Sequence, residues 1–125
     1  MIVTFTEEEL GADLWKVVFE GTLDAPGTMT VEREFQAWLA GRAGQVIVEL
    51  SKVDYLSSYG LRMLLSGAKT MRQAGGGLHL AAPNDNVYQV IKMVGYDTLF
   101  PVYKTIEEAM KSVNTGTTSS DQKPG

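Results

Sequence analysis

Val46-Ile47-Val48-Glu49-Leu50, continuing through Ser51-Lys52-Val53-Asp54-Tyr55-Leu56-Ser57-Ser58-Tyr59-Gly60-Leu61, is the stretch from which the architecture of this chain is read. Val46, Ile47 and Val48, closed by Leu50, form a short continuous apolar run, the pattern of a central strand covered on both faces. From Leu61 the period becomes helical: Leu61, Leu64, Leu65, Ala68 and Met71 return on one face, and Gly75-Gly76-Gly77 marks a sharp exit.

Toward the N-terminus, Leu14 to Glu20 alternates, with Trp15, Val17 and Phe19 on one side of a predicted strand that Gly21 interrupts; Ile2 to Phe5 is its expected hairpin partner. After Asp24-Ala25-Pro26-Gly27, the residues Val31, Phe35, Trp38 and Leu39 fall at i, i+4, i+7 and i+8, one face of a helix that stops before Gly41 to Gly44. Toward the C-terminus, Leu78 to Ala82 predicts a strand, and Val87, Val90, Ile91 and Val94 predict a helix stopped by Gly95. Leu99 to Tyr103 is the expected last strand. Thr105 with Glu108 makes a capping box before Ile106, Ala109, Met110 and Val113.

The order β-β-α-β-α-β-α-β-α implies an α/β fold: a mixed sheet of about five strands with four helices packed on it, opened by a β-hairpin and continued by alternating helices and strands. The expected boundaries are one domain over residues 1–113 and a disordered C-terminal tail over 114–125, where Asn, Gly, Thr, Ser, Asp, Gln, Lys and Pro replace the apolar pattern.

A chain of 125 residues with 44% hydrophobic and 21% charged residues matches one ordinary globular domain. Fifteen acidic against 11 basic side chains give a net charge of -4, and the basic ones are scattered, which argues against nucleic acid and anionic membranes as partners. Without cysteine there is no disulfide framework and no thiolate chemistry. Glu7, Glu8 and Glu9 come before any long apolar run, so no signal peptide is expected. No segment approaches the roughly 20 apolar residues of a membrane span. The expectation is a cytoplasmic protein with no membrane insertion.

Titratable groups do not converge. The single histidine, His79, is flanked by Leu78 and Leu80 in a predicted strand and reads as structural. No metal-ligand spacing and no phosphate loop occur, and the three glycines read as a helix-to-strand turn, so neither a metal nor a cofactor is expected and the chain is not read as an enzyme. Asp13, Asp24, Asp54, Asp85 and Asp97 stand in predicted turns or caps. Asp24 is distinguished by its place at a strand exit facing a helix start. The hydroxyls of Ser57 and Ser58 stand at a predicted helix N-terminus, where a serine caps the backbone amides; the same amides and the helix dipole would stabilise a phosphate attached there. On the residues alone capping is the simpler reading, and one serine can serve both roles.

Gly21-Thr22-Leu23-Asp24, Val46-Ile47-Val48-Glu49-Leu50, Ser57-Ser58-Tyr59-Gly60-Leu61, Ala82-Pro83 and Gly95 together resemble the STAS domain family over roughly residues 1–113. In that family a strand bearing Gly-x-Leu-Asp precedes the first helix, and a strand leads to Asp-Ser-Ser/Thr-Gly-Leu at the second. The resemblance is to the anti-sigma factor antagonist type. It implies a protein-binding regulator that engages an anti-sigma factor with serine kinase activity and is switched by phosphorylation of the serine two places before the motif glycine, here Ser58. The implied partner-binding residues are Asp24, Ser57, Ser58, Tyr59 and Gly60, and the resemblance leaves room for a homodimer. Ser57 stands where the motif has aspartate, and Tyr59 where it has a second hydroxyl. Those departures speak for the alternative, a STAS scaffold or accessory subunit that is not phosphorylated, of the stressosome or lipid-transport kind. A phosphate adds about -1.5 to -2 charge, and a hundredfold loss of affinity needs only about 2.7 kcal/mol.

Overall fold

The computed structural model describes residues 3–95 and 100–119. Five strands and four helices follow in the order β1 (Thr4–Gly11), β2 (Leu14–Leu23), α1 (Ala25–Ala40), β3 (Gln45–Leu56), α2 (Ser58–Gln73), β4 (Gly77–Ala81), α3 (Asp85–Met93), β5 (Val102–Tyr103) and α4 (Ile106–Ser119). The sheet order is β1-β2-β3-β4-β5; β1 and β2 pair antiparallel, and every other pair is parallel.

Strand alternation divides the apolar residues between two cores. Val17 and Phe19 of β2, Val46, Val48 and Leu50 of β3, and Leu78 and Leu80 of β4 face α1, α2 and α3, which contribute Val31, Phe35 and Leu39, then Leu61, Leu64 and Met71, then Val87 and Ile91. Ile47 and Ala81 point to the opposite face, where Ala109 and Val113 of α4 cover them. Val46, Ile47 and Val48 are each wholly buried because β3 is covered on both sides. Three consecutive crossovers in one direction place three helices on one face, and the chain's last helix closes the other.

Several boundaries differ from the sequence reading for physical reasons. The first strand, expected over Ile2 to Phe5, runs from Thr4 to Gly11 through the exposed Glu7, Glu8 and Glu9, and Ile2 lies outside the described residues. It is an edge strand, and the backbone ladder to β2 holds it there. Its carboxylates solvate the free edge and oppose pairing with another chain. The central strand continues past Leu50 to Leu56, pairing Glu20 with Lys52, Gly21 with Val53 and Leu23 with Leu56, with irregularities on β2 between Val18 and Glu20 and between Gly21 and Thr22. Asp54, expected in a turn, is therefore a strand residue. The last strand is reduced to Val102 and Tyr103; Leu99, expected to open it, and Asp97 lie outside the described residues. The tail expected to be disordered from residue 114 begins as helix, since α4 runs on to Ser119; residues 120–125 lie outside the description.

Two further contacts fix the frame. The guanidinium of Arg42, in the loop that delivers β3, lies 4.6 Å from the Trp15 ring centre and 4.2 Å from that of Trp38, joining β2 to the end of α1. Gly76 passes so close to the carbonyl of Gly44 that no side chain fits there, which is why the turn into β4 is built from glycine.

His79 lies on the α4 side of β4, half-buried, with Nε2 2.7 Å from Gln45 Oε1. The amide oxygen accepts, so Nε2 carries the proton of a neutral ring. Burial pushes its pKa below 6.5. The unfolded chain then binds more protons than the folded one as pH drops below about 6.5, and stability falls with it until the folded pKa is passed. Thermal midpoints measured from pH 7.5 to 5 are expected to fall more steeply for the native chain than for His79→Gln; parallel curves would refute a neutral, buried His79.

Candidate functional site

The parallel register brings the ends of β2 and β3 together at Leu23 and Leu56, so the helices that follow, α1 and α2, start side by side at the carboxyl edge of the sheet. Asp24 is the N-cap of α1: its Oδ1 accepts from the Gly27 amide at 2.8 Å, and its carbonyl accepts from Thr28 N at 2.8 Å. Ser57 is the N-cap of α2. Its Oγ accepts from Gly60 N at 3.3 Å and donates to the Leu23 carbonyl at 2.7 Å, which also accepts from Ser57 N at 2.9 Å. The hydroxyl thus caps one helix and ties it to the residue before the cap of the other. An aspartate could accept as a cap but could not, when ionised, donate to that carbonyl.

Gly60 is buried, and a side chain there would meet Leu56 Cδ1 at 2.7 Å and the Leu23 carbonyl at 3.1 Å. It holds the start of α2 tight against the strands and faces inward, whereas the neighbours it positions face out. Ser58 is exposed, and no described residue hydrogen-bonds its hydroxyl. Tyr59 is 51% exposed. The five residues singled out in the sequence therefore divide in three ways: Asp24 and Ser57 are half-buried caps, Gly60 is packing, and Ser58 and Tyr59 form the presented surface.

The same end of the domain carries features that pattern reading missed. Tyr55, in the last turn of alternation of β3, and Met29, early in α1, are exposed large apolar side chains. Met29 falls off the stripe set by Val31, Phe35 and Leu39, and an apolar residue off the core stripe is the signal that could have found it. Thr22 Oγ1 donates to Asp54 Oδ1 at 2.8 Å, across a sequence separation no local pattern reports. A cleft of about 650 Å³ between α3, β5 and α4, lined by Asp85, Tyr88, Tyr103 and Lys104, includes none of these residues. Ser58 and its neighbours form a surface. Among the described residues no three His, Asp or Glu side chains are grouped to hold a metal, and no helix is long and apolar enough to cross a membrane.

An opening hairpin, three helices on one face, and a serine presented at the first turn of the second helix define the class. Residues 11–109 match the STAS domain model, and the chain belongs to the STAS domain family. Over 96 residues it is 31% identical to BtrV of Bordetella bronchiseptica, a protein named as an anti-sigma factor antagonist; the match covers 77% of this chain and 83% of BtrV. The fold is shared with an anti-sigma factor antagonist from Mycobacterium paratuberculosis, with TM-score 0.80, 24% identity and coverage of 90% of this chain and 94% of that one. It is shared also with the Bacillus cell fate determinant SpoIIAA at 18% identity. The unphosphorylated form aligns with TM-score 0.74 over 90% of this chain and 97% of that one, and the phosphorylated form with 0.66 over 88% and 99%.

Proposed function

We propose that this chain is a cytoplasmic regulator that acts by binding, without catalysis of its own: it engages an anti-sigma factor with serine kinase activity through the α2 N-terminal surface, and phosphorylation of Ser58 switches it off. The observation that carries this reading is the division of labour between the two serines. Ser57 takes the cap and the anchor to Leu23, which leaves Ser58 exposed and its hydroxyl uncommitted. A kinase needs such a hydroxyl, and a phosphate placed there disturbs no bond that holds the helix. Support comes also from the name of BtrV and from SpoIIAA, whose structure exists in phosphorylated and unphosphorylated forms. Tyr59, next to the serine, is a half-exposed aromatic of the kind that anchors interfaces.

One observation favours a second reading, a scaffold of the same fold that is never phosphorylated: Ser57 and Tyr59 stand where the family motif has an aspartate and a hydroxyl. Intact mass of the protein from its native cells, with mapping of the peptide containing Ser57 and Ser58, separates the two. A phosphate on Ser58 that is lost in Ser58→Ala is the expected result. Protein that stays unmodified in both growth and stress would give the scaffold reading the lead.

A further inference from the structure

Ser58 opens α2 and Arg62 stands four residues on, one helical turn away on the same face, the spacing at which side chains of a helix meet. Both are exposed. The Arg62 guanidinium lies 5.7 Å from the centre of the Tyr59 ring, and no carboxylate among the described residues forms an ion pair with it. The helix carries Arg62, Lys69 and Arg72 and not one acidic residue, in a chain whose net charge is -4. With Ser57 as its cap, the first turn also lacks the carboxylate that would repel a phosphate.

Resting on the reading of Ser58 as the modified residue, we propose that Arg62 receives its phosphate, leaving the Tyr59 ring to bind the phosphate oxygens. A guanidinium offers two parallel N–H donors to two phosphate oxygens, and such charge-assisted bonds are stronger than an exposed contact with an aromatic face. A single modification then changes the surface twice. It places about -1.5 to -2 charge at Ser58, and it draws Arg62 off Tyr59, so the partner loses a cation and meets a differently dressed tyrosine. The serine and the arginine act as one switch element built on a single turn of helix.

The test installs phosphoserine at position 58 of the full chain by genetic encoding and follows its ³¹P resonance with pH. The second ionisation of phosphoserine lies near 6, and an adjacent guanidinium favours the dianion. Arg62→Gln is expected to raise the midpoint by about 0.3 of a pH unit, in keeping with the strength of i,i+4 ion pairs. Arg62→Lys should restore part of the shift, and Lys69→Gln, two turns further on, should leave the midpoint where it is. A midpoint that does not move in Arg62→Gln overturns the proposal. Because the phosphate is installed without a kinase, that failure is distinct from failure of the underlying reading, which would show as a protein never phosphorylated in its own cells.

Discussion

Phe35→Ala is expected to destabilise the domain by about 3–5 kcal/mol. Phe35 is wholly buried in α1, with its ring centre 5.0 Å from that of Phe19 in β2 and 5.9 Å from that of Phe5 in β1, both in edge-on geometry. Phe5 and Phe19 also approach each other, at 5.7 Å. The three rings join the opening hairpin to the first helix, and truncation removes both the transfer energy of the ring and two oriented aromatic contacts, each worth about 0.5–1.5 kcal/mol. The surrounding strands cannot collapse into the space, because their positions are set by the backbone ladder. Against a typical domain stability of about 5–15 kcal/mol, the loss is about a fifth of the total or more. Urea unfolding followed by circular dichroism measures it, with Phe35→Leu as the control that retains most of the volume and should lose less than about 2 kcal/mol. If Ala and Leu cost the same, the aromatic trio is not what fastens the hairpin.

The residues behind that expectation were readable because periodicity reports burial. Val31, Phe35 and Leu39 recur at helical spacing and are all buried; Trp15, Val17 and Phe19 alternate and all face the helices, Trp15 at its edge against Trp38. The same logic fails where something other than burial holds an element. Glu7 to Glu9 and Ser51 to Tyr55 are strand because neighbouring strands bond their backbones, and side-chain pattern carries little trace of that. At the site, the capping serine was legible as a serine before an apolar helix, and Asp24 as a residue at a strand exit. Which of the two serines would be free was not, since the Ser57 hydroxyl finds its partner 34 residues away at Leu23. The exposure of Met29 and Tyr55 likewise depends on how α1 and β3 meet their neighbours in space. Local chemistry was visible; the pairing of two strand exits that turns it into a surface was not.

That pairing sets the sharpest functional expectation: phosphate on Ser58 should weaken binding of the proposed serine-kinase anti-sigma partner about a hundredfold, some 2.7 kcal/mol, while leaving the fold intact. The capping bonds at the start of α2 run through Ser57 and Gly60, and the Ser58 hydroxyl contributes to none of them. A negative group in the first turn also opposes the positive end of the helix dipole favourably, worth about 0.3–1 kcal/mol, so the thermal midpoint should hold or rise slightly. The affinity loss is therefore expected to come from the proposed interface, through like charge and the desolvation of a dianion beside Tyr59. Ser57→Ala is the contrasting variant. It removes a cap worth about 0.5–2 kcal/mol and a hydroxyl donor to a partly buried carbonyl, so it should lower stability while Ser58 remains available. Calorimetric titration and thermal melts on the unmodified, phosphorylated and Ser57→Ala chains separate the two effects. A phosphorylated chain that binds as tightly as the unmodified one sinks the switch, and one that binds weakly only because it has melted sinks the division of labour between the serines.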